Sequence, residues 1–436
     1  MKRFFHYINN EVLIEAAGLN RANISLKIVA GILISKFIAI YIGPQGMALI
    51  GNLRNFLSAI QSMAISGLYK GFVKAIGQFK YEAKELSKTL STVFYAGFFS
   101  SIFLAFLCYY NAEFINDLIF SDNYNYVYVI EILALVLPFY ALNMFSFAIM
   151  NGFSKYKILL VINILGQVLG LLVTLLLIKQ ENIDGALMAV VITPALNLLI
   201  TIVGIAFRKS LVGSINITDI SLGVLRKLSP DMIMALVSAV AVPIVMIIIR
   251  NYLISEVGIK SAGYWTAMTR VSDYYLMFIN SLMTLYILPR FKEISTKTEF
   301  RKEVFSFYKS ILPILLLILL IIYFSRSLLI TVLFTEDFRP VEDLFGYQIL
   351  GDIFRVLSMV IAYQFLAKKM FAHFIVLEVF LFVTMYFSSV YLVDAFGLEG
   401  AVMGHCLSYI MYFGIILLIF GSSLFGVLTE EGETDY

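Results

Sequence analysis

Residues 183 to 189 read Ile183-Asp184-Gly185-Ala186-Leu187-Met188-Ala189, and residues 398 to 404 read Leu398-Glu399-Gly400-Ala401-Val402-Met403-Gly404. In both, an acid and a glycine open a long apolar run. Position 183 of the first stretch falls on position 398 of the second, an interval just short of half this chain. A second recurrence points the same way. Gly43-Pro44-Gln45-Gly46 precedes an apolar run carrying Arg54, and Val257-Gly258 with Gly263 precedes one carrying Arg270. The interval from Gly46 to Gly263 is again close to half the chain. Two such spacings argue for internal duplication.

Working outward from these turns, six apolar stretches fall in each half. The first six run approximately Ala22 to Ile42, Met47 to Tyr69, Leu90 to Tyr110, Tyr126 to Met150, Ile158 to Ile178 and Gly185 to Phe207. The second six run Met232 to Ile249, Ala262 to Leu288, Phe307 to Ser325, Leu344 to Leu366, Phe371 to Val393 and Ala401 to Leu424. About 20 helical residues cross about 30 Å of hydrocarbon. Lipid offers backbone groups no water, so continuous apolar stretches of this length are expected to be helices. The expectation is an all-α integral membrane protein with twelve transmembrane helices in two six-helix lobes. An even number of crossings per half sets both halves the same way up, related by a pseudo-twofold axis along the membrane normal. The expected divisions are an interfacial segment over 1–21, lobes over 22–207 and 232–425, a linker over 208–231 and an acidic tail over 426–436.

Composition agrees. Hydrophobic residues make up 61% and charged residues 14%, against about 25% charged in a soluble protein. That excludes a soluble enzyme, a disordered chain and a disulfide-stapled module. Cys108 and Cys406 sit inside apolar runs and read as small buried hydrophobes. A net charge of +3 gives no argument for nucleic acid, and no such partner is expected.

Lys and Arg set the orientation. With the N-terminus in the cytoplasm, 22 of the 32 fall in inner segments and 5 in outer ones, namely Lys179, Arg250, Lys260, Arg326 and Arg339. This is a strong positive-inside bias, and both termini are expected to be cytoplasmic. Phe4, Phe5, Ile8, Val12 and Leu13 form one apolar face of a short interfacial helix at the start.

The informative residues are charges inside the crossings. Each costs about 2.5–3.5 kcal/mol at the bilayer centre on insertion scales. Lys27 and Lys36 lie in crossing 1, Arg54 in 2, Arg270 and Asp273 in 8, Asp352 and Arg355 in 10, and Glu378 in 11. At 1.5 Å per residue, Arg54, Arg270 and Arg355 lie about 11, 12 and 17 Å below the outer boundary. Arg270 with Asp273, and Asp352 with Arg355, are i,i+3 pairs on one helical face, extended by Gln348. These pairs are either self-neutralised struts or the lining of a wet cavity. Arg54 has no acid within four residues, which favours the cavity. Lys27 and Lys36 are nine residues apart, on opposite sides of a straight helix, so one of them is free to snorkel. Trp265, close to Arg270, is either an interfacial anchor or a stacking surface for a sugar. Glu378 has no local partner and is a candidate for carrying a coupling proton. The candidate substrate-binding set is therefore Lys27, Lys36, Arg54, Trp265, Arg270, Asp273, Asp352 and Arg355. Pro138, Pro194, Pro243 and Pro313 predict kinks.

No nucleotide-binding G-x-x-x-x-G-K-[ST], metal-ligand pattern or Cys/His cluster occurs. His6, His373 and His405 are scattered toward span ends. No cofactor or metal is expected. The longest outer connection, about Asn111 to Asn125, is too short for a catalytic domain. The pattern reads as a secondary transporter or flippase, and the excess of embedded cations favours an anionic headgroup. A small-molecule antiporter is the alternative, and a membrane enzyme of glycan assembly a more distant one.

At this point the residues meet a known family. The stretch Gly43-Pro44-Gln45-Gly46-Met47-Ala48-Leu49-Ile50-Gly51-Asn52-Leu53-Arg54-Asn55-Phe56 resembles the start of Wzx-type O-antigen translocases. It is most similar to the branch that handles enterobacterial common antigen. Gly71-Phe72-Val73-Lys74, Val257-Gly258, Ser272-Asp273 with Tyr275, Leu288-Pro289, Gln348 with Gly351-Asp352, and Gly400-Ala401 follow in the family's order. The likeness covers about Glu15 to Phe425. The segment before Glu15 departs from it, and Arg270 is not a matched family position. The family belongs to the superfamily of multidrug, oligosaccharidyl-lipid and polysaccharide exporters. The resemblance implies paired six-helix lobes that flip an undecaprenyl-diphosphate-linked oligosaccharide outward across the bacterial inner membrane by alternating access. It also implies membrane lipid, and glycan polymerase or chain-length proteins, as partners, and no enzymatic activity.

Overall fold

The computed structural model describes residues 11–79, 81–120, 124–206 and 215–426. The N-terminal residues carrying Phe4, Phe5 and Ile8, and the acidic tail from residue 427, lie outside the described residues. Among the described residues the regular structure is entirely helical. The first half contains α1 (Glu11–Tyr41), α2 (Gly43–Gln61), a π turn (Ser62–Ser66), α3 (Gly67–Phe79), α4 (Ala83–Tyr110), α5 (Ala112–Phe120), α6 (Val127–Gly152) and α7 (Tyr156–Ala206). After a 3-10 turn at Ile217–Asp219 come α8 (Leu222–Glu256), α9 (Ile259–Leu282), a π turn (Met283–Ile287), α10 (Leu288–Glu293), α11 (Lys297–Phe324) and α12 (Arg326–Leu333). A 3-10 segment (Glu336–Leu344), α13 (Phe345–Ala367), α14 (Phe371–Phe396) and α15 (Leu398–Phe425) complete it.

Ten helical stretches among the described residues are long and apolar enough to cross a membrane. One of them, Tyr156–Gly204, holds two crossings, because the backbone turns at Asn182 (φ 50°, ψ −116°). The path through α2, its π turn and α3 supplies one more. The protein is thus an all-α integral membrane protein of twelve crossings in two six-helix lobes. One compact unit ends at Ile247 and the other begins at Ile248, inside α8.

The duplication is written in the backbone. Left-handed residues occur at Gly43 and Gly258, at Ser154 and Lys369, and at Asn182 and Gly397. All three pairs share one interval, the same that carries Ile183 onto Leu398. It is slightly shorter than the interval from Gly46 to Gly263, so the former is the true period of the turns. Gly397 (φ 59°, ψ −131°) reproduces the Asn182 geometry. A Cβ on Gly185 would stand 1.9 Å from the Leu177 carbonyl oxygen, and one on Gly400 would stand 2.0 Å from that of Leu392. Both turns therefore need glycine at the same place. A tyrosine braces each lobe at these turns: Tyr128 donates to Asp184, and Tyr252 to Asp394.

Burial is that of a membrane protein. The large side chains Leu418, Phe324, Tyr391 and Phe387 are exposed on helix exteriors, where lipid accepts them. Inside, helices meet at small residues and polar bridges. In the first lobe the Asn52 amide donates to the Ile119 carbonyl at 2.7 Å, Thr201 donates to Asn143 at 2.6 Å, and the Gln167 amide donates to Asn23 at 2.6 Å. Its aromatic core stacks Phe72 on Phe145 at 5.2 Å. In the second lobe Phe291, Phe300, Phe365 and Phe420 pack together, with centroid separations of 5.0–5.5 Å.

Within the residues expected as a linker, 208–231, α8 begins at Leu222. The connection near Asn111 contains α5, whose Ile119 and Phe120 are buried. Neither π turn is visible in the sequence pattern; each inserts one residue into a helical turn.

Candidate functional site

A buried polar cluster of the second lobe centres on Asp352, on α13. This residue is 1% exposed. Burying an ionised carboxylate costs several kcal/mol unless donors replace its water. Four do so here. Ser272 and Tyr275, one helical turn apart on α9, donate from their hydroxyls to Oδ2 at 2.6 and 2.5 Å. The Gln348 amide, one turn back on α13, donates to Oδ2 at 3.2 Å. His405 Nε2 stands 3.1 Å from Oδ1. A carboxylate only accepts, so His405 Nε2 carries the hydrogen. Hydrogen bonds to a charged group are worth about 1.5–3 kcal/mol each, enough in combination to hold the charge.

Helix contact makes this possible. Gly351 lets α13 and α15 approach closely, since a Cβ there would stand 2.6 Å from His405 Cδ2 and 2.9 Å from the Cys406 Cα. Asp352 and His405 each lie two turns into their helices, at about 11 Å and so at matching depth.

Arg355 completes the cluster differently. Its Nη1 stands 4.0 Å from Asp352 Oδ1, and its side chain is 27% accessible. That distance is too long for a hydrogen bond. The guanidinium instead lies over the Tyr409 ring, 5.7 Å from its centroid. Tyr409 packs edge-on against His405 at 4.8 Å. Asp352 therefore orients Arg355 without consuming its donors.

Of the sequence candidates, the structure brings together Asp273, Asp352 and Arg355. Asp273 is exposed on α9 and within electrostatic reach of Arg355, Asp352 and Arg270. Arg270 is buried on the same helix. Trp265 is not presented to a ligand: it is 1% exposed, with the Arg250 guanidinium 5.2 Å from its ring centroid. A buried indole has no free face for a sugar. Glu378 is half-buried on α14 and within electrostatic reach of Tyr409 and Tyr412. In the first lobe Lys27 is exposed, whereas Lys36 and Arg54 are half-buried.

Sequence reasoning missed His405 and Arg250. His405 is not at a span end but 3% exposed at the heart of the cluster. Arg250 is not in an outer connection. It lies within α8, 3% exposed, donating from Nε to the Thr266 hydroxyl at 2.8 Å. The signal for it was present, because Ile247-Ile248-Ile249 and Tyr252-Leu253-Ile254 flank it. Among the described residues no His, Cys, Asp or Glu group is arranged to hold a metal ion.

Residues 56–343 match the family model described as polysaccharide biosynthesis protein. The chain belongs to that family. It is 27% identical over 410 residues to the lipid III flippase of Escherichia coli K12, covering 94% of this chain and 98% of that protein, and the Shigella flexneri lipid III flippase matches to the same extent. Among solved structures it shares the fold of the lipid II flippase MurJ in an inward closed conformation (TM-score 0.72, 16% identity, covering 94% of this chain and 87% of that one). It also shares the fold of an inward-facing multidrug resistance MATE family transporter of the MOP superfamily (TM-score 0.71, 16% identity, 91% and 94%). The relatives so named are flippases and a transporter. The multiple crossings make the protein a membrane protein.

Proposed function

We propose that the protein translocates an undecaprenyl-diphosphate-linked oligosaccharide from the cytoplasmic to the periplasmic leaflet of the bacterial inner membrane by alternating access. The observation that carries this reading is Arg355. Its side chain is partly accessible, and its guanidinium stands beside a buried carboxylate without being hydrogen-bonded to it. A diphosphate stripped of water needs charged donors in its place, and the planar guanidinium offers two parallel ones. Arg355 is the principal headgroup ligand of the second lobe, with Asp352 as its positioning residue and Asp273 within electrostatic reach; Arg270, being buried, reaches the cluster through the Asp273 charge. Within the first lobe, Arg54, Lys27 and Lys36 are the candidate cations. Trp265, being buried, is left out. The lipid III flippases, similar along 94% of the chain, support the cargo class.

On this reading both termini are cytoplasmic, the protein performs no bond chemistry, and glycan polymerase or chain-length proteins receive its product. Glu378 is the candidate for ion coupling.

The test is complementation of a flippase-deficient strain. Arg355→Ala and Arg54→Ala are each expected to cut surface glycan about 10–100-fold while membrane protein level stays normal. Wild-type glycan from both variants would overturn the site. Drug efflux without any glycan phenotype would instead favour the antiporter reading.

A further inference from the structure

We infer that Asp273, Asn280 and Thr284 form a carbohydrate subsite along one face of α9, where the sugars of the cargo lie while its diphosphate is on Arg355. The inference rests on the proposed role of Arg355 as an anion ligand and adds the place of the sugars.

Helix geometry defines the face. At 3.6 residues per turn, Asn280 stands about 20° short of two turns from Asp273. Thr284, in the π turn that follows α9, stands about 20° past three. The three share one stripe, and all three are exposed. Phe278 and Leu285, 51% and 58% exposed, stand about 120–140° away around the same helix. One helix thus shows two exposed faces of opposite chemistry. Lipid takes the apolar one. A carboxylate is costly against acyl tails, so the polar face lies against water and whatever water carries.

The stripe has hydrogen-bonding capacity to spare. Among the described residues, neither the Asp273 carboxylate nor the Asn280 side-chain amide makes a hydrogen bond. The Asn280 main-chain carbonyl accepts from the Thr284 hydroxyl at 3.0 Å, and that hydroxyl is also hydrogen-bonded to Tyr363 of α13. A carboxylate and an amide offer acceptors and donors together, and a hydroxyl offers both. That mixture matches the hydroxyls of a sugar. With no cation among its three members, the stripe does not fit a second phosphate.

Its position joins it to the anion ligand. Asp273 and Arg355 each lie about 17 Å from the starts of their crossings at Ala262 and Leu344, and Asp273 is within electrostatic reach of Arg355. From there the stripe runs about 17 Å along the helix to Thr284, long enough for more than one sugar ring. Carried back by the repeat interval, its positions hold Ser58, Ile65 and Tyr69, so the duplicated fold does not require it.

The experiment measures binding of two probes to the purified full-length protein in detergent. One is farnesyl diphosphate; the other is farnesyl diphosphate carrying a disaccharide of N-acetylglucosamine. Wild type is expected to bind the sugar-bearing probe about tenfold more tightly, the worth of one or two hydrogen bonds. Asn280→Leu is expected to remove most of that advantage and to leave farnesyl diphosphate binding unchanged. Asp273→Ala is expected to lower the same ratio, which cancels any effect of the lost charge on the diphosphate. Asn280→Ala replaces the leucine variant if that does not fold. A wild type that binds both probes alike, or an Asn280 variant with the wild-type ratio, overturns the inference and leaves the anion site standing. If wild type binds neither probe, the anion-site reading itself fails.

Discussion

The two halves share their turns and differ in what they bury. The left-handed residues at 43, 154 and 182 return at 258, 369 and 397. Carried back by the same interval, Gln348, Asp352, Arg355 and His405 fall on Leu133, Leu137, Tyr140 and Val190. In the first half these positions are apolar or aromatic, and Leu133 and Leu137 are buried outright. Around these positions the first half is bridged by neutral amide and hydroxyl groups such as Asn143 with Thr201. The second half has a charged cluster there. Membrane geometry constrains the turns in both copies, because backbone groups there have few ways to be satisfied. Nothing in the repeated turns demands a buried carboxylate, and its presence in one copy is what motivates the proposed site.

The largest effect tests what is shared. Gly185→Ala and Gly400→Ala each push a Cβ against a carbonyl oxygen of the preceding helix, at 1.9 and 2.0 Å. Backbone has to move in both, and each variant is expected to lose about 4 kcal/mol or more. Fluorescence-detected size exclusion should show little monodisperse protein for either. If one is tolerated and the other is not, the turns are not equivalent and the duplication ends at the sequence.

The next effect tests what differs. Arg355→Ala is expected to cut surface glycan about 10–100-fold, the value of one charged hydrogen bond of about 1.5–3 kcal/mol. Its partly accessible position predicts a melting temperature close to wild type. Tyr140→Ala, at the corresponding place in the first half, should leave glycan display intact in cells. Equal losses from both would mean that the site is not confined to the charged cluster. Asp352→Ala should behave unlike Arg355→Ala. It strips a buried partner from four donors and costs about 3–5 kcal/mol, read as a lower melting temperature.

The sequence carried the architecture because apolar length and repeated glycine turns are local signals. It carried Asp352, Arg355 and Asp273 because a charge inside an apolar run stands out. His405 was not legible. A histidine two turns into a helix looks like any other, and only the approach of α15 to α13 at Gly351 shows what it touches. Trp265 misled for the opposite reason. Its composition suggested a stacking platform, but burial beneath Arg250 depends on helix rotation, which spacing alone does not give. Arg250 was misplaced because the positive-inside count treats a cation near a span end as belonging to a loop.

The smallest effect examines the turn that the halves share with different residues. Asn182 and Gly397 adopt nearly the same backbone, with positive φ and strongly negative ψ. An L side chain is strained there, and glycine is not. Asn182→Gly should therefore stabilise the first half, and Gly397→Asn should destabilise the second. The strain is on the order of 1–3 kcal/mol, offset by about 0.5–1 kcal/mol for the greater freedom of glycine in the unfolded chain. Thermal melting in detergent would register the two shifts with opposite sign. A Gly397→Asn variant as stable as wild type would show that asparagine meets this geometry at no cost, so that drift between the copies at this position was neutral. A clear loss would show that the first half carries strain the second has shed, and that the copies have diverged in their turns as well as in their charge.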